Sequence, residues 1–229
     1  MTPERFASGM TFDRYVAYTA SPENLRREGS QGEPRKDWSG FLGKAYEAAH
    51  LSDAQARAWT WLASQPDGPA KILVISEEWS SDCRRDVPML ARVADTAGLE
   101  LRIFPRDGER FSRAQTPSPA ESPSADLMAQ FLNHKNGQTW QSIPVVAFYT
   151  RRLEPLYHYI EYPAIYDKDR LVAAIRGPRP GETKEQTKAR GDREFMEMLD
   201  SPFFRVWACA GVDEMLSKLY ERVRVGSLA

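Results

Sequence analysis

The stretch Lys71–Leu90, KILVISEEWSSDCRRDVPML, decides how the rest of the chain is read. Its four consecutive aliphatic residues, Ile72 to Ile75, form a run too short to cross a membrane and typical of a strand buried on both faces. Ile72 to Ser76 therefore predict a strand inside a sheet. Trp79 follows, Cys83 stands four residues later, and Pro88 comes five beyond that. Downstream, Val87, Leu90, Ala91, Val93, Ala94 and Ala97 recur with helical spacing, and Gly98 supplies a stop. Ser80 or Ser81 is placed to cap this helix, which would set Cys83 among the unpaired amides at the positive end of the helix dipole. A thiol there can have a lowered pKa. Pro88, inside the helical pattern, predicts a kink.

Further along, IPVVAFYT runs from Ile143 through Pro144 into a strand, and EPLYHYIEY follows as its hairpin partner. Between the two landmarks, LELRIFPRDG reads as a strand and DLMAQFLNH as a helix. The set Trp79, Ser80, Ser81, Asp82, Cys83 and Pro88, taken with Ile143 and Pro144, resembles the thioredoxin superfamily. That family's signature is a tryptophan, Cys-x-x-Cys, and a proline five residues after the second cysteine. The wording is most similar to a bacterial thioredoxin-like branch with Asp before the second cysteine. The resemblance covers roughly Leu51 to Asp167 and implies an α/β thioredoxin-like fold, a central mixed sheet flanked by helices, with helical N- and C-terminal extensions. The implied divisions are a helical extension at 1–65, the core at 66–167, and a second helical extension at 168–229. The family also places a cis-proline, here Pro144, against the active-site turn, with Trp79 on its rim.

Two departures bear on function. Ser80 stands where the family has its attacking thiol, so Cys83 corresponds to the resolving one, and a serine hydroxyl cannot form a disulfide with it. A dithiol cycle within the motif is excluded by covalent chemistry. Counting back six residues from Ser80, where many thioredoxins carry a buried acid, gives Val74; Glu77 and Glu78 are the nearest carboxylates.

The composition suits a soluble protein with a sizeable core. The formal charge of -1 offers no global attraction to nucleic acid or to anionic membrane. MTPERFASGMTFDRY lacks a signal-peptide core, which predicts a cytoplasmic location. Cys83 and Cys209 are the two cysteines, and His50, His134 and His158 are dispersed, so neither a disulfide framework nor a metal site is expected. No cofactor is expected either. Phe12 to Arg26 and Trp38 to Ala63 predict helices, Gln115 to Ser124 an exposed Pro/Ser-rich loop, and 167–175, 183–199 and 212–223 further helices.

Each candidate residue has a bland reading beside a functional one. Cys83 is either a buried thiol or a single activated nucleophile that forms a sulfenic acid or mixed disulfide. Ser80 reads as a helix cap more readily than as a catalytic hydroxyl. Asp82 can cap the turn or raise the Cys83 pKa. Arg84 and Arg85 could stabilise a thiolate or receive an acidic ligand but read more readily as an exposed helix face; Cys209 reads as core before a distant resolving partner for Cys83, and Phe203, Phe204 and Trp207 read as core. Two functions follow. The first is a thiol-disulfide redox protein, an oxidoreductase with a degenerate motif, using Cys83 with Ser80 as catalytic residues, Trp79, Ile143 and Pro144 as substrate-binding residues, and Ser81, Asp82 and Pro88 as support. Its partners would be a protein thiol or disulfide client or a small thiol such as glutathione. The second is a redox-inactive thioredoxin-fold binding module for a peptide or protein, holding its partner beside Trp79 and Pro144.

Overall fold

The computed structural model describes residues 1–135 and 137–226, without the side chain of Gln31. In chain order, α1 (Pro3–Ala7), α2 (Phe12–Thr19), α3 (Pro22–Arg26), α4 (Ser39–Ala48) and α5 (Asp53–Ser64) lead to β1 (Lys71–Ser76). Next come α6 (Ser81–Ala97), β2 (Glu100–Pro105), α7 (Ala125–Met128), β3 (Asn133–Lys135) and β4 (Gln138–Trp140). The chain then forms β5 (Val145–Tyr149), β6 (Pro155–Ile160), α8 (Lys168–Arg176), α9 (Lys184–Asp200) and α10 (Pro202–Val225).

The main sheet has the order β2-β1-β5-β6, with β1 and β2 parallel and the other two pairs antiparallel. Leu73 of β1 lies opposite Arg102 on one side and Ala147 on the other. Ile72 to Ile75 and Val145 to Phe148 are buried, as the unbroken apolar runs of an interior strand pair require. The helix α6 packs against α4, α5 and α10. Its stop is Gly98, whose φ of 68° is the left-handed conformation that a helix C-terminus favours and that costs glycine little. In the core, Trp59 of α5 stacks on Phe148 with ring centroids 5.6 Å apart. No helix among the described residues is long and apolar enough to cross a membrane.

Several expected elements are divided or redrawn. Phe12 to Arg26 is two helices because Ser21 accepts from the Asn24 amide at 3.1 Å and Pro22 opens a new first turn. Trp38 to Ala63 is likewise two, since Ser52 and Gln55 form a reciprocal capping box. The helix expected over DLMAQFLNH stops at Met128, and Asn133 to Lys135 join a small hairpin instead, His134 opposite Thr139. The loop Gln115 to Ser124 is mostly exposed, but Ser122 and Ser124 are buried at its end. The last helix begins at Pro202, ten residues before the expected Val212. Gly211 sits inside α10, where a Cβ would stand 3.3 Å from the Tyr159 hydroxyl. It allows α10 to approach β6 closely.

The outer edge of β2 is met by the chain just before α2. Met10 and Ile103 exchange backbone hydrogen bonds of 2.9 and 2.8 Å, a one-residue bridge that covers part of an otherwise open edge. Gly9 makes this approach feasible, because a Cβ there would fall 2.6 Å from Phe104 Cζ and 2.9 Å from Arg102 Cβ. Gly9→Ala is therefore expected to destabilise the fold by about 1–3 kcal/mol, as overpacking of a filled site does. Urea unfolding checks this; an unchanged midpoint would show that the N-terminal segment is not held against β2.

Candidate functional site

The chain leaves β1 at Ser76, and the next residues carry nearly all the unusual chemistry of the molecule. Glu77 and Glu78 are each 1% exposed. Arg27 Nη2 donates to Glu77 Oε1 at 2.9 Å, Arg35 Nη1 to Glu77 Oε2 at 2.5 Å, and Arg35 Nη1 also reaches both Glu78 oxygens at 2.8 Å. Asp107, just past β2, is fully buried and accepts from Arg106 Nε at 2.8 Å, from the Ser112 amide at 3.2 Å and from Trp79 Nε1 at 3.1 Å. Three carboxylates and three guanidiniums thus share one buried cluster. Burial alone would raise the Glu77 carboxyl, but Arg27 and Arg35 hold it below its ordinary value. Glu78 and Asp107 are raised, by burial first and by the Glu77 charge second, with Arg35 and Arg106 partly offsetting this.

At the start of α6, Ser80 is the N-cap, its Oγ accepting from the Cys83 amide at 3.4 Å. Cys83 is 1% exposed, and burial pushes its thiol up to about 12. Hydrogen bonds from Ser76, the Glu77 backbone and Ser80 act in the opposite direction and are outweighed, while the Asp82 charge adds to the rise. This direction is opposite to the lowered pKa expected at a helix terminus, because burial disfavours the thiolate more than the helix end favours it. Tyr15 of α2 closes this region, its hydroxyl 3.0 Å from Ser76 Oγ. Both cysteines are free, and Cys209 is half-buried against the core.

Asp82 is neither a cap nor free. It accepts from Arg85 Nη1 at 2.7 Å and from Lys168 Nζ, which also binds Glu161 Oε1 at 2.8 Å. Arg85 completes the group by a bidentate pair with Asp86, 2.7 Å at each bond. Arg84 and Arg85, expected on an exposed face, are each 4% exposed, because α4, α8 and α10 surround this end of α6. Arg84 differs from its neighbour in having no carboxylate. Its Nη1 donates to the Glu78 and Trp79 carbonyls at 2.7 and 2.9 Å, and its guanidinium stacks 3.7 Å above the Trp38 ring.

The structure brings Trp79, Ser80, Ser81, Asp82 and Cys83 together in one turn and carries Pro88 inside α6. Ile143 and Pro144 lie just before β5, joined by a cis peptide bond, and both are buried. The Pro144 carbonyl accepts from the Glu161 amide at 2.8 Å. Trp79 remains half-buried and meets Phe111 edge-on at 5.3 Å, with Arg106 5.1 Å from its ring. Beside it a cleft of about 350 Å³ is lined by Arg106, Phe111, Arg113, Trp140, Gln141 and Ser142 among others. Among the described residues no cluster of His, Cys, Asp or Glu is suited to a metal. Phe203, expected in the core, is 65% exposed, and Phe204 and Trp207 are partly exposed.

A family model described as thioredoxin matches residues 41–176, more than half of the chain. The chain belongs to the thioredoxin family. Its match extends beyond the sequence resemblance at both ends, taking in most of α4 and all of α8. No curated protein matches. Two solved structures share the fold. One is a protein of unknown function from Pseudomonas aeruginosa, 15% identical, with a TM-score of 0.51 and 94% of each chain covered. The other is an HIV epitope scaffold, 14% identical, with a TM-score of 0.52 and 95% of this chain and 96% of the scaffold covered.

Arg27, Arg35, Arg106, Asp107 and Lys168 are among the site residues that the sequence leaves unmarked, since each comes from a segment remote from the motif. The one signal was the paired Glu77-Glu78 directly after a buried strand. Removing one member of the buried cluster strands its partners, so Glu77→Gln is expected to cost about 3–5 kcal/mol. Lys188→Gln, in the exposed Lys188–Asp192 pair, should cost less than about 1 kcal/mol in the same unfolding assay. Comparable losses would mean the cluster is not held dry. Cys83 supplies a pH test. The unfolded thiol ionises above about 8.5 while the folded one stays protonated, so stability falls by about 1.4 kcal/mol per pH unit above that value until the folded thiol titrates. Unfolding of Cys209→Ala between pH 8 and 10, set against the Cys83→Ala/Cys209→Ala protein, reads this difference; parallel pH profiles would place Cys83 in contact with solvent.

Proposed function

We propose that this thioredoxin-family protein is a redox-inactive binding module that holds a peptide or protein segment on the surface beside Trp79. The observation that carries the reading is Cys83: a thiol 1% exposed and held protonated to about 12 can neither reach a disulfide nor attack it at neutral pH. Ser80, at the position of the missing attacking thiol, is engaged as a cap. A thiol-disulfide exchanger acting on protein or glutathione partners would need both exposure and a thiolate.

The binding surface is supported by what remains open. Ile143 and Pro144 are buried, and the Pro144 carbonyl is taken by Glu161, so the open part of this surface lies beside them, at Trp79 and Trp140. The adjoining cleft exposes Trp140 to 49% and contains Gln141, whose Oε1 is buried with no partner while its Nε2 donates to Ser112 and Ala114 at 2.9 and 2.7 Å. The Phe111 and Trp140 rings would cover apolar side chains of an extended segment.

The test selects a binding peptide from a display library of extended peptides, then measures its affinity by fluorescence anisotropy alongside turnover of a small disulfide. Trp140→Ala and Trp79→Ala are expected to weaken binding at least tenfold, Cys83→Ala to leave it within twofold, and no variant to show thiol-dependent turnover. Turnover by the wild type that Cys83→Ala abolishes would overturn the reading and restore the one-cysteine mechanism. So would peptide affinity indifferent to both tryptophans.

A further inference from the structure

A second cleft, of about 260 Å³, lies where α4 and the first turns of α6 face the junction of α9 and α10. Phe41, Met89, Leu199, Phe204 and Ala208 give it an apolar wall, and Ala45, Ala48 and Ala49 keep it open from the α4 side. Its charged lining is Arg84, Arg85, Arg205 and Asp200. The charge of Arg85 is consumed by Asp82 and Asp86. Arg205 and Asp200 are exposed, so their charges are solvated.

Arg84 is the group left over. Its residue is 4% exposed, and it has no carboxylate partner among the described residues. Its Nη1 is used by two backbone carbonyls and its face by Trp38, while Nε and Nη2 donate to nothing described. Buried guanidiniums are almost always paired, because an uncompensated charge in a dry site is expensive. That expense is visible here, since burial lowers the Arg84 pKa to about 10. A stacked, planar guanidinium with one edge open is the fork that a carboxylate fits with two parallel hydrogen bonds.

We infer that this cleft is a binding site for a small amphipathic carboxylate, its anionic head on the free edge of Arg84 and its apolar body against Phe41, Met89, Phe204 and Ala208. A cleft of about 260 Å³ suits a short-chain carboxylate, and octanoate serves as the probe. This site is separate from the surface beside Trp79 and does not depend on what binds there.

Isothermal titration calorimetry with sodium octanoate on the whole chain tests the inference, with 1-octanol as the neutral counterpart. One saturable octanoate site is expected, at least tenfold tighter than 1-octanol. Ala45→Phe, which fills the cleft from the partly exposed face of α4, should abolish it. Arg84→Gln should weaken octanoate at least tenfold and leave 1-octanol unchanged; circular dichroism melts report whether that variant folds. If it does not, the octanoate-to-octanol ratio of the wild type and the Ala45→Phe result still decide. Absence of saturable binding, equal affinity for the alcohol, or undiminished binding by Ala45→Phe would each reduce Arg84 to a staple for the Glu78 and Trp79 carbonyls and overturn the site.

Discussion

The buried cluster of Glu77, Glu78 and Asp107 with Arg27, Arg35 and Arg106 is the constraint on which the rest of the structure depends. Two acids follow directly on the end of an interior strand, and neither reaches solvent. Charges taken out of water are tolerated only when opposite charges and hydrogen bonds replace hydration. The replacements come from far along the chain: Arg27 and Arg35 follow α3, and Arg106 and Asp107 follow β2. The N-terminal helices are thereby tied to the end of β1 by more than apolar packing. Arg27 also donates to the Asp107 and Gly108 carbonyls at 2.5 and 2.9 Å, so one guanidinium fixes three segments.

The same tie changes the chemistry of the motif turn. At a surface, a helix N-terminus can stabilise a thiolate that water also reaches. Here Tyr15 closes over Ser76, and Lys168 reaches Asp82 from beyond the last strand. Once water is excluded, the helix terminus competes with the full desolvation of a sulfur anion, and desolvation prevails. The Ser80 hydroxyl satisfies one of the open amides of α6, a task that serine performs better than a thiol.

Charge pairing also separates neighbouring residues that look alike in sequence. Arg84 and Arg85 are adjacent, equally buried and identical in type. Arg85 meets two carboxylates within 2.7 Å, whereas Arg84 meets two backbone carbonyls and an indole face. One is a completed structural ion pair and the other an incomplete donor set in a cleft. A hundred-degree turn of helix between consecutive residues is enough to send them into different surroundings.

Much of the scaffold was legible because its signals are local. The apolar run of β1, the spacing and glycine stop of α6, and the Ile143-Pro144 landmark before β5 each report a backbone state set by neighbouring residues. The divisions at Pro22 and Ser52 were equally local, being caps within otherwise continuous apolar patterns, but periodicity alone passes over them. The sequence by itself determined the thioredoxin-like framework and the absence of a dithiol cycle within its motif, since the lack of a cysteine at position 80 is a covalent fact. Only the tertiary structure decided what became of Cys83, Arg84 and the paired glutamates. Burial and charge compensation depend on Tyr15, Arg35, Asp107 and Lys168, which are distant in the chain and come together only when it folds.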